Sequence, residues 1–95
     1  MLRAVEKLTA AAFAGIQSMT IGNHSFTKEK DIFVFRYHWS EICTVDPVRR
    51  YVFYDDCGFK TSSTTRSINS YKEMFRDYEE VNRTVFDNLK GVQPC

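Results

Sequence analysis

No run of this chain approaches the roughly eighteen uninterrupted apolar residues that a bilayer-spanning helix needs, so a transmembrane segment is excluded. The first residues, MLRAVEKLTAAAFAGIQSM, are apolar enough to suggest a leader, but Glu6, Lys7 and Gln17 interrupt them, and secretion is not the expectation. Cysteine is scarce and odd in number: Cys43, Cys57 and Cys95 stand at spacings that match neither a disulfide framework nor a paired C-x-x-C zinc site. Reduced thiols in a cytosol fit that usage best. An excess of one charge is also missing, since 13 Lys and Arg face 12 Asp and Glu for a net charge of +1. The whole-molecule field therefore favours neither nucleic acid nor an acidic-protein target. What is present is apolar and aromatic: 43% hydrophobic and 15% aromatic residues over 95 positions exclude wholesale disorder. That is enough for one domain, residues 1–95, to fold without metal or disulfide.

Leu2, Val5, Leu8, Ala12, Phe13 and Ile16 repeat with helical period and predict a first helix from Leu2 to Gln17. Gly22-Asn23 is a turn signal, flanked by a short strand or irregular segment through Met19 to Phe26. Asp31 to Trp39 alternates as a strand, with Phe33, Phe35, Tyr37 and Trp39 on one face that a helix must cover. Glu41 to Val45 is β-compatible, Asp46-Pro47 turns the chain, and YVFYDD returns as a further strand. Ile68, Tyr71, Phe75, Tyr78, Asn82, Val85 and Leu89 then repeat at alternating spacings of three and four, predicting one helix from Thr65 to Lys90 of about 26 residues, or ~39 Å. Gly91 and Pro94 supply the stop. The fold class expected is α+β: an amino-terminal helix, an antiparallel meander of about three to four strands, and a long carboxyl-terminal helix packed on the sheet. So long a stripe exceeds what the sheet can cover, which predicts a homodimer through the carboxyl-terminal helix.

The most unusual stretch is DDCGFKTSSTTRSIN, Asp55 to Asn69, where five consecutive hydroxyl side chains, Thr61 to Thr65, stand at the start of the last helix. Hydroxyls there satisfy first-turn amides, and capping explains them most simply. Helix amino ends also hold anions, and Arg66 with Lys60 adds charge, but Gly58 stands alone and no G-x-x-x-x-G-K-[ST] phosphate loop is present.

The runs YHWSEICTVD and YVFYDDCGFKTSSTTRSIN resemble a pattern of small, mostly uncharacterised proteins of tailed bacteriophages and prophages. That pattern has a Tyr-His-Thr strand, a Gly-Gly-Trp element, and a Thr-x-Thr-Thr and Arg-Ile-Asn signature. Tyr37 and His38 match the first, Gly58 and Phe59 the second, and Thr61, Thr64, Thr65, Arg66, Ile68 and Asn69 the third; Phe13, Gly22 and Asn23 resemble the family's helix and Gly-Asn-Thr opening. The likeness covers most of residues 11 to 70. It departs at Trp39 for Thr, at Cys57 for the first Gly, at Phe59 for Trp, and in the long last helix. The resemblance implies a compact α+β fold and a phage origin, and it carries over no catalytic residue.

Catalytic groups are thin. Asp55 and Asp56 adjoin at a strand end and point to opposite faces, which suits a metal poorly. Cys57 with His38 lacks a third, orienting group. No enzyme activity, metal or cofactor is expected. The function expected is that of a non-enzymatic phage accessory protein, acting in the host cytoplasm on a host protein or complex such as a component of an antiviral defence system. The alternative is a nucleic-acid-binding module in which Arg36, His38, Arg49, Arg50, Lys60, Thr64 and Arg66 surround the aromatic residues of the sheet and the amino end of the last helix. These seven are the candidate binding residues.

Overall fold

A computed structural model of the chain describes residues 2–55, 58 and 61–89. The expectations placed on Cys57, Phe59, Lys60, Gly91 and Pro94 lie outside the described residues. The first helix, α1 (Arg3–Phe13), buries Val5, Leu8 and Ala12 at the predicted spacing but ends before Gln17. Gly15 is the reason. At φ 96° it occupies the left-handed region that only glycine adopts cheaply. There Gly15 N–H donates to Ala12 O (3.2 Å) and Ile16 N–H to Ala11 O (3.1 Å), the paired bonds of a Schellman closure.

The chain then builds five consecutive antiparallel strands, β1 (Ser18–Ile21), β2 (His24–Glu29), β3 (Ile32–Tyr37), β4 (Ser40–Asp46) and β5 (Tyr51–Tyr54). With β6 (Glu79–Glu80) parallel to β5, they form a six-stranded sheet whose spatial order is the chain order. The expectation of three to four strands is therefore corrected. Residues 18–29 make two strands because Ser18, Thr20, Ser25 and Thr27 lie on the face turned away from α1, where polar residues cost a strand little. Two-residue turns join β1 to β4, and the first residue of each is left-handed: Gly22 at φ 59°, Lys30 at 57° and His38 at 58°. Such turns twist as the strands do, which is why hairpins use them even where the residue is not glycine.

One face of the sheet carries Phe26, Phe33, Phe35, Cys43, Val45 and Val52 against α1 and the second helix, α2 (Ser62–Met74). A bulge in β4 opposite Phe35 and Arg36 turns Ile42 into the same core beside Cys43. Tyr71 of α2 stacks on Phe35, ring centroids 4.8 Å apart, and Phe75 lies 6.1 Å from the same ring.

The predicted long helix is not formed, and this is the second correction. The chain leaves helix geometry at Phe75, pairs as β6 on the edge of β5, and starts again as α3 (Arg83–Leu89) on the opposite face. The other face of the meander explains it. Ile32 and Val34 with Tyr51 and Phe53 leave an apolar patch that one straight helix on the first face could never reach. Phe86 of α3 closes that patch and is 2% exposed, a burial contributing about 1.5–3 kcal/mol. Tyr71 and Phe75 are spent in the first core, Tyr78 lies at its margin and Asn82 is exposed. No continuous stripe remains for two-fold helix pairing, so the premise of a dimer through this segment falls.

Candidate docking site at the Trp39 hairpin

The β3–β4 hairpin ends in His38-Trp39, and strand alternation would place Trp39 with Phe33 and Phe35 in the core. It does not sit there. The strand stops at Tyr37, and Trp39 at the tip is 93% exposed. His38 is held at φ 58°, a conformation that costs a residue with Cβ about 1–2 kcal/mol. Its N–H donates to Asn23 O of the β1–β2 turn at 2.7 Å, bracing one hairpin tip on the next. Tyr37 lies between two imidazoles, 4.9 Å from the His24 ring and 4.4 Å from that of His38. Burial, and then the neighbouring His38, holds the His24 imidazole below its usual pKa.

Facing this tip is the amino end of α2. Thr61 caps it: the Thr61 hydroxyl oxygen accepts from Thr64 N–H (3.2 Å) and donates to Thr64 Oγ1 (3.0 Å). Ser67 and Ser70 hydroxyls donate back to Ser63 O and Arg66 O one turn earlier. The hydroxyl-rich stretch thus has structural partners for Thr61, Thr64 and Ser67, as does the adjoining Ser70. Between hairpin and helix lies a cleft of about 520 Å³ walled by Tyr37, His38, Trp39, Ile42, Ser63 and Thr64. Its walls combine a large aromatic surface with a few hydroxyls, the composition that binding clefts favour.

His38 and Thr64 of the candidate residues meet at this cleft. Arg66 lines a separate, polar groove on the far side of Thr61, with Asn69 and Glu73. Arg36 projects from the opposite sheet face, where Thr27 Oγ1 accepts from it at 2.7 Å and Glu41 pairs with it at 3.6 Å. Arg49 and Arg50 belong to the β4–β5 turn at the other end of the strands. Arg49 pairs with the buried Asp46 at 3.1 Å, and Arg50 lies 4.9 Å over the Tyr78 ring. Lys60 lies outside the described residues. Among the described candidates, Arg36, Arg49, Arg50 and Arg66 are therefore spread over two faces and two ends of the sheet.

Cys43, the free cysteine among the described residues, is buried, and that burial pushes its thiol pKa well up, so it is inert. Asp55 pairs with Arg83 at 3.3 Å, and Asp46 Oδ1 accepts from Val48 N–H and Arg49 N–H in an Asx turn. Among the described residues no group of three His, Cys, Asp or Glu side chains could hold a metal ion. Trp39 is the residue that sequence reasoning missed, because a His-Trp dipeptide carries no turn signal. Its visible mark was its place among the aromatic residues interleaved with Arg36 and His38. Comparison of the chain with protein-family models, curated proteins and solved structures gave no match.

Proposed function

We propose that this is a non-enzymatic accessory protein of phage origin that binds a host protein in the host cytoplasm, and that the Trp39 hairpin and its cleft are the docking surface. The observation that carries the reading is Trp39 itself. A tryptophan exposed at 93% contributes nothing to the core, yet it stands on a turn whose backbone conformation is costly and braced. Tryptophan is the side chain most enriched at the energetic centres of protein interfaces, with a two-torsion side chain that loses little entropy on docking. Tyr37, half-buried beneath it, adds aromatic surface that such an anchor shares with a partner side chain. The scattered basic residues favour a protein over a nucleic acid.

The test is affinity purification of the tagged protein from infected bacterial cells, run in parallel with Trp39→Ala and Arg49→Ala. A protein retained by the wild type and by Arg49→Ala, and lost with Trp39→Ala at unchanged melting temperature, supports the reading. Nucleic acid in the eluate, or a partner indifferent to Trp39, overturns it.

A further inference from the structure

The two edges of the sheet are treated differently. At one edge β6 is two residues long and acidic, Glu79–Glu80, so a second copy offered there would meet its own charge. At the other edge β1 is Ser18–Ile21, and it lies within the longest stretch of the chain free of Asp, Glu, Lys and Arg, from Leu8 to Thr27. It has no lysine, proline or bulge, the usual devices that keep an edge strand from pairing.

The phase of the ladder shows which backbone groups are offered. Lys28 N–H donates to Gln17 O at 2.8 Å, so Gln17, Met19 and Ile21 direct their backbone groups to β2. The N–H and C=O of Ser18 and Thr20 consequently point away from the sheet. Met19 and Ile21 side chains are half-buried at the margin of the core.

We infer that β1 is an interface for a second copy of this chain, the two strands running antiparallel about a two-fold axis through Thr20. In that register Thr20 faces Thr20, and Met19 faces Ile21 of the second copy on the helix side, so the apolar core continues across the axis. An uncharged edge suits itself in a way a charged one cannot, because a two-fold axis sets every residue near its own kind. A foreign strand would find no charge pattern here to read. The short strand sets a weak, concentration-dependent association.

Light scattering and sedimentation over micromolar to high-micromolar concentrations test this, with Thr20→Pro and Thr20→Lys. Because the Thr20 N–H points outward, proline removes only the intermolecular bond, and edge strands tolerate it there. The wild-type mass should rise with concentration from 11.1 kDa toward twice that value. Thr20→Pro, with an unchanged circular dichroism spectrum, should stay monomeric, and Thr20→Lys should dimerise several-fold more weakly, recovering with added salt. A wild type that remains monomeric throughout overturns the inference, as does a folded Thr20→Pro that dimerises like the wild type. If Thr20→Pro does not fold, Thr20→Lys decides, and dimerisation equal to the wild type overturns it.

Discussion

Tyr71→Phe should make this protein more stable. Tyr71 is fully buried in α2, and its hydroxyl has no hydrogen-bond partner among the described residues. Burial, followed by the influence of Cys43, pushes that phenol's pKa far up, so it is a neutral donor with nothing to donate to. Leaving a buried hydroxyl unpaired costs about 1–3 kcal/mol relative to water. Phenylalanine keeps the ring and its 4.8 Å contact with Phe35, and loses only the oxygen, whose small void returns part of the gain. A net increase of about 1 kcal/mol remains, or roughly 4–8 °C in melting temperature for a domain of this size. Tyr54→Phe provides the opposite sign, because Tyr54 OH donates to Tyr71 O at 3.3 Å, and its removal should cost about 0.5–1.5 kcal/mol. Urea unfolding followed by far-ultraviolet circular dichroism measures both, since the exposed Trp39 reports little on the core. A Tyr71→Phe variant less stable than the wild type by 1 kcal/mol or more would show that the hydroxyl is satisfied, and the reasoning would fail.

Asp46→Ala should cost about 1–3 kcal/mol by stranding the Val48 and Arg49 amides, whereas Arg49→Ala, at the exposed end of the same pair, should cost under about 1 kcal/mol; thermal melts separate the two. His38→Gly should raise stability by about 0.5–1 kcal/mol in the same assay, because glycine accepts the φ of 58° without strain. His24 is held below the usual 6.5, so the unfolded chain takes up this proton first. Its contribution is intact above about pH 6.5 and is lost as pH falls from there through the folded value, and urea midpoints between pH 7.5 and 5 should show a decline that His24→Phe flattens.

The first half of the fold was legible because its signals are local. Val5, Leu8 and Ala12 mark a helical face, and the alternation of Ile32 to Tyr37 marks a strand whatever surrounds it. The last third was misread for a reason of the same kind. A spacing of three and four through Tyr71, Phe75, Tyr78, Val85 and Leu89 has helical period, but period cannot say which face of the sheet each residue meets. Phe75 and Phe86 serve opposite faces, so the chain has to pass round the β5 edge between them, and Glu79 and Glu80 are where it passes. Asn82, read as a polar position within a stripe, stands immediately before α3, a position that Asn favours as a cap. At the candidate site the capping role of Thr61 followed from its residue type. The exposure of Trp39 did not, because it depends on where β3 stops.

A sheet whose spatial order is its chain order can be assembled in the order of synthesis. Each strand from β1 to β5 meets its neighbour across a turn of two to four residues, and closing such short loops takes little entropy. The remaining contacts are of another kind. Leu2 N–H reaches Ser70 Oγ across 68 positions, and Phe86 must come back to Ile32 and Val34. While residues 61–89 are still inside the ribosome, the meander stands with the Phe33 face covered by α1 alone and the Ile32 face bare. That interval is when the nascent chain is most prone to self-association, and it ends when the final segment wraps the β5 edge and shields both sides together.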